Sequence, residues 1–314
     1  MSKSAKVSLT ALIFILIQTF SGFILRLFNA QSMTNNGVTI LFYVVIYLIP
    51  LAVIMLVSKD NIKETLKLKN PGIKNILLSL VITIFLMPFI AFLSYVSMLV
   101  FPNIVTEELA FLAQNESFIL SVLAIGVFPA VCEEFVFRGK LFSGYKKALP
   151  VGKAVLISGL IFGMAHFNMQ QFFYAFVIGM VFAVMVNSAG SILVSVIPHF
   201  VINSSQVLLT YFLYGESGQL NGAGIERTVR FDLTNFSVIL VAAVVFLIPS
   251  IILLRKMIAM NAQKIEGDIE ANDAPGAEGA VLTGKERMFT APFWIIVGIY
   301  VLNVIGTMII YKTL

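Results

Sequence analysis

The 314-residue chain is 59% hydrophobic and only 12% charged, whereas a soluble domain carries about 25% charged residues. A soluble fold is excluded, and the apolar content suffices for a polytopic membrane protein. The net charge of +5, from 21 Lys and Arg against 16 Asp and Glu, is not a nucleic-acid footprint, because the cations sit in short connections between apolar runs and report membrane orientation. The one cysteine, Cys132, excludes an intramolecular disulfide and reads as a small packing residue inside an apolar run.

Apolar runs of the length needed to cross a bilayer predict spans near 7–28, 38–57, 76–100, 118–145, 154–169, 171–187, 191–213, 236–255 and 292–311. The fold class expected is an all-α transmembrane bundle of eight or nine spans. The first run exceeds a secretory h-region, so it reads as an uncleaved helix. The fifth is short and followed at once by the sixth, as in a tight hairpin. With the N-terminus in the cytoplasm, the inner side holds Lys3, Lys6, Lys59, Lys63, Lys67, Lys69, Lys74, Arg138, Lys140, Lys146, Lys147, Lys153, Arg255, Lys256, Lys264, Lys285 and Arg287. The outer side holds Arg26, Arg227, Arg230 and Lys312, and seventeen against four supports that orientation. The outer 101–117 connection carries only acids, and its Glu107-Glu108 pair reads as a solvated helix face. Three regions are expected: a transmembrane core over 1–258, a polar cytoplasmic connection over 259–290 and an additional C-terminal helix over 291–314.

Ionisable groups deep in a membrane cost several kcal/mol unless paired or hydrated, so each is a functional hypothesis. Glu133-Glu134, followed by Arg138, is the acidic pair embedded in an apolar run, and both histidines of the chain, His166 and His199, fall inside expected spans. At 1.5 Å per residue, Glu133 and His166 each lie roughly 18 Å from the inner ends of their spans, with His199 and Asn203 at roughly 13 and 20 Å in theirs. Three helices thus bring these groups to one layer. Imidazoles and carboxylates are the usual ligands of a catalytic zinc, and a remaining carboxylate can serve as general base for a bound water. Arg138, one helical turn beyond Glu134, can pair with that carboxylate near the interface. Taken singly, an intramembrane His or Asn is an ordinary interhelical hydrogen-bonding residue; the conjunction is what argues for a site.

Those residues form three motifs: EExxxR over Glu133–Arg138, FxxxH over Phe162–His166 and HxxxN over His199–Asn203. In order, spacing and span placement the chain resembles the CPBP intramembrane metalloproteases, which include type II CAAX prenyl endopeptidases and the bacteriocin-processing or self-immunity Abi proteins. The resemblance implies that Glu133 activates the attacking water and that His166, His199 and Asn203 bind the water or a metal, with Glu133 in the same set. It implies further roles for Glu134 and Arg138, and a cavity reached from the cytoplasmic side or laterally from lipid. Zinc and a metal-independent glutamate mechanism both remain open, and the last span stands as an addition to the family core.

The function expected is hydrolysis of a membrane-associated protein or peptide precursor near the cytoplasmic face of a cell membrane, bacterial by composition. The partners are the lipid bilayer and a protein or peptide substrate, with no nucleic acid. A non-enzymatic scaffold or self-immunity factor of the same fold is the alternative, and a proton-coupled transporter a third reading.

Overall fold

A computed structural model describes residues 1–28, 30, 33–101, 104–214, 232–262 and 286–313. Most of the 259–290 connection, and with it Lys264 and Lys285, lies outside the described residues, as do Arg227 and Arg230 and the Glu107 and Glu108 side chains.

Every regular element among the described residues is helical. In chain order they are α1 (Lys3–Thr19), α2 (Ser21–Arg26), α3 (Asn35–Val57), α4 (Ile62–Thr65), α5 (Ile73–Met98), α6 (Ile104–Asn115), α7 (Phe118–Lys146), α8 (Val151–Met164), α9 (Met169–Ala189), α10 (Leu193–Tyr214), α11 (Leu233–Met260) and α12 (Ala291–Thr313). Seven of them, α3, α5, α7, α9, α10, α11 and α12, are long and apolar enough to cross a membrane.

Two expected spans differ. The first breaks at Phe20, where polar Ser21 and flexible Gly22 follow, so a straight crossing becomes α1 and the short α2. The fifth ends at Met164 rather than 169, which places His166 in a turn and not in a helix. That turn has a local cause: Phe167 adopts φ 50° and Asn168 caps the next helix, its side chain accepting from the Gln170 amide at 2.9 Å.

The α8–α9 hairpin is closely packed. Gly159 and Gly163, four residues apart on α8, meet α9 so closely that a Cβ on Gly159 would lie 3.1 Å from the Phe176 carbonyl oxygen, and one on Gly163 3.0 Å from that of Phe172. Small residues at this spacing let membrane helices pack backbone to backbone. Gly190 ends α9 in the left-handed region, φ 65°, which glycine adopts without a Cβ penalty.

Buried apolar side chains form two clusters, one joining α1, α3, α7, α8, α9 and α12, the other joining α5, α9, α10 and α11. Cys132 is buried in the first. Outward faces remain apolar, as with Val241 and Ile252 of α11, 61% and 59% exposed, which suits lipid rather than water as the surrounding solvent. The last helix is more than an appendage: α12 packs on α1 and α8, and the Tyr300 hydroxyl donates to Met169 Sδ at 3.1 Å. Just before it, the Glu286 carboxylate accepts from the Lys3 and Ser4 amides at 3.0 and 2.9 Å and from Ser4 Oγ at 2.6 Å, so it caps α1.

Candidate active site

α7 does not run as a uniform α-helix. Wider π-type turns over Val122–Val127 and Phe135–Phe142 bracket the segment Phe128–Glu134, and Pro129 sits at its start. Proline has no N–H, so the carbonyl of Ile125, four residues earlier, lacks its helical donor. Asn203 Nδ2 of α10 supplies one, at 3.0 Å. The same defect that reshapes α7 above Glu133 thereby fixes the orientation of Asn203.

His166 is held by a comparable device. The end of α8 leaves the Phe162 carbonyl without its usual i+4 amide, and His166 Nδ1 takes that place at 2.9 Å. A carbonyl only accepts, so Nδ1 carries the hydrogen and Nε2 keeps its lone pair. His199 is fixed from the other side: its Nδ1 donates to Glu134 Oε1 at 3.0 Å, which leaves Nε2 to face Glu133 Oε2 at 3.9 Å. That separation is too long for a direct hydrogen bond and suits a small group shared by the two atoms. Glu133 is anchored through its other oxygen, which accepts from the Tyr43 hydroxyl of α3 at 3.0 Å.

Behind this layer lies a buried ion pair. Arg138 Nη1 donates to Glu134 Oε1 at 2.6 Å, both side chains fully buried. The guanidinium carbon lies 4.1 Å from the Phe162 ring centroid and 5.4 Å from that of Phe182, so two aromatic faces cover the cation. Phe162 also meets His166 and His199 edge-on, at centroid distances of 5.0 and 6.1 Å. Arg138 is therefore part of the protein interior, where Glu134 and two aromatic rings surround it.

A cavity of about 540 Å³ opens onto this set and is lined by Glu133, Phe162, His166, His199 and Asn203 among others. Glu134 and Arg138 are not among its lining residues. They hold the wall rather than face the space. The groups expected at one layer are thus brought together, with Glu134 one step behind. Tyr43, Gln18 and Tyr47 join them: Tyr47 donates to Gln18 Oε1 at 3.3 Å, and Gln18 Nε2 donates to the Ala165 carbonyl at 2.6 Å. A tyrosine in the apolar run YVVIYL has no sequence signal that separates it from packing aromatics, whereas Gln18, an amide inside a first span, could have been singled out by the rule used for the histidines.

Carboxylate and imidazole Nε2 atoms are ordinary zinc donors. Among the described residues, however, no three His, Cys, Asp or Glu side chains are grouped to hold one ion, and the Asn203 amide is turned to Ile125. As arranged, the donors do not form a three-ligand centre, and the chemistry below uses the protein's own groups.

Fold and site together define a multi-pass helical membrane protein with a cavity inside the bundle whose described lining includes Glu133, His166, His199 and Asn203. Residues 115–205 match the family model of the Type II CAAX prenyl endopeptidase Rce1-like proteins. That stretch, under a third of the chain, contains all three motifs, and over it the resemblance to the CPBP proteins is borne out. The matched family is one of proteases. No curated protein and no solved structure matches the chain significantly.

Proposed function

We propose that the chain is an intramembrane endopeptidase of a cell membrane, with its N-terminus in the cytoplasm, in which Glu133 activates water for attack on a peptide bond. The observation that carries the reading is the facing pair Glu133 Oε2 and His199 Nε2, 3.9 Å apart on the wall of a cavity that His166 and Asn203 also line. A water between the two donates one hydrogen to Glu133 and has its oxygen free to attack the carbonyl carbon. Its proton passes to Glu133 Oε2 as the C–O bond forms, and Glu133 returns it to the amide nitrogen as the C–N bond breaks. Tyr43, bound to Oε1, holds the carboxylate with its other oxygen toward the water. Glu134 keeps the His199 ring in register, and Arg138 neutralises Glu134.

Glu133→Gln tests this. It keeps shape and loses the base, so hydrolysis falls by roughly 10²–10⁴ while the protein still inserts and folds. Full activity in that variant removes the mechanism. Exhaustive chelation of the purified protein leaves activity in place if the water is held by these groups alone; loss on chelation and recovery with zinc assigns a divalent ion to the His166 and His199 Nε2 atoms.

A further inference from the structure

The bundle has two distinct ends, identified by bonds between elements. At one, the Ile192 amide donates to the Lys67 carbonyl at 3.2 Å, Lys140 pairs with Asp60, and the Asn75 and Asn261 side chains bond reciprocally. At the other, Tyr211 of α10 donates to the Glu116 carbonyl at 2.7 Å, and the Asn35 amide at the start of α3 donates to Glu116 Oε1 at 2.7 Å; α6 lies at this end. Apart from Arg26, Lys312 and the buried Arg138, every Lys and Arg among the described residues belongs to the first end. An excess of cations marks a cytoplasmic face.

The cavity is not on that side. α7 lines it from Ala124 to Phe137 and α10 from His199 to Gln206, the halves of those helices that run toward the α6 end, and α6 itself contributes Val105, Leu109 and Leu112. Among the described residues, none of the lining comes from the lysine-bearing connections. The space therefore starts at the Glu133 layer and extends away from the cations, opposite to the cytoplasmic side, which the family resemblance implies as one route beside lateral entry from lipid.

Its wall has a distinct chemistry. Among the described residues, Glu133 and the two imidazoles are the titratable polar groups facing it apart from tyrosines, and no Lys or Arg does. A chain-terminal carboxylate would find no cation among these described lining residues. Instead Gln18, Asn168, Gln171, Asn203 and Gln206 offer neutral amides, groups that match the N–H and C=O of an extended peptide.

We propose that the substrate enters from the extracytoplasmic face and is an uncharged, extended internal segment next to a membrane anchor, rather than a chain terminus presented from the cytoplasm. This rests on the protease reading above.

Two measurements separate the claims. In a Cys132→Ser background, Leu109→Cys, Gln206→Cys and Thr39→Cys are exposed to a membrane-impermeant maleimide in right-side-out and in inverted vesicles, with Lys69→Cys as the opposite-face control. Labelling of the three cavity positions only from the outside, and of Lys69→Cys only in inverted vesicles, is expected. Labelling of Gln206→Cys and Thr39→Cys only in inverted vesicles overturns the outer access. New N-termini in the membrane fraction are then mapped in cells carrying wild type or Glu133→Gln. Glu133-dependent termini within neutral, outer-face segments beside an anchor are expected; termini on the cytoplasmic face, or removal of a few C-terminal residues, overturn the substrate class. If no terminus depends on Glu133, the protease reading falls and takes the substrate with it, while the labelling pattern still decides access.

Discussion

Replacing Arg138 by methionine tests whether the buried pair behind the cavity is structural, positioning or both. Wild-type Arg138 is fully buried, bonded to Glu134 at 2.6 Å and covered by Phe162 and Phe182. Arg138→Met leaves the Glu134 carboxylate fully buried, with His199 Nδ1 still hydrogen-bonded to it but no cation paired with it. Removing one partner of a buried pair costs about 3–5 kcal/mol, because the other charge is left uncompensated. At about 1.4 kcal/mol per decade, that lowers the folding equilibrium by roughly 10²–10⁴. Adding Glu134→Gln removes the stranded charge, and replacement of both members of such a pair is often near neutral, so most of the stability returns. Activity does not. A carboxylate that fixes an imidazole is commonly worth about 10–100-fold in rate, and the glutamine amide holds His199 without the charge. Thermal unfolding in detergent and peptide hydrolysis, measured on wild type, Arg138→Met, Glu134→Gln and the double variant, give the four corners of the cycle. A double variant that regains activity along with stability would show that Glu134 only compensates Arg138. An Arg138→Met protein as stable as wild type would refute the energetic argument itself.

Tyr43→Phe removes one hydrogen bond to a charged acceptor, worth about 1.5–3 kcal/mol of stability, so the unfolding temperature should fall and peptide hydrolysis should drop with it; an equal rate excludes Tyr43 from holding Glu133. Gly159→Leu places a Cβ 2.7 Å from Met180 Cγ and 3.1 Å from the Phe176 carbonyl oxygen, and should cost at least about 1–3 kcal/mol by overpacking, read as a lower unfolding temperature and poorer insertion, whereas Gly152→Leu, with open space at its Cβ, should not. Burial raises the Glu286 carboxyl, but the bonds from Ser4, Lys3 and Ser2 outweigh it and bring the group from 4.5 to about 2. A depressed folded-state value means a stabilising contribution that is present above pH 4.5 and lost as pH falls toward about 2. Wild type should therefore exceed Glu286→Gln in unfolding temperature at neutral pH and converge with it at the acid end; a constant gap would deny the cap.

Much of the molecule is legible without coordinates, because lipid demands long apolar helices and tolerates buried charge only in company. Composition alone assigns the class, hydropathy locates α3, α5, α7, α9, α10, α11 and α12 within a few residues, and the scarcity of polar residues at depth isolates Glu133, His166, His199 and Asn203. Three things needed the tertiary structure. His166 lies beyond the end of α8, since the backbone sign of Phe167 and the Asn168 cap depend on how α9 packs back through Gly159 and Gly163. Glu133 and Glu134 are adjacent in sequence but part company in space, because neighbouring residues on a helix point about 100° apart; one faces the cavity and the other faces Arg138 and His199. The contribution of Tyr43, ninety residues from Glu133, and the end of the bundle toward which the cavity extends follow from how helices distant in sequence pack, and periodicity along one chain carries no record of that.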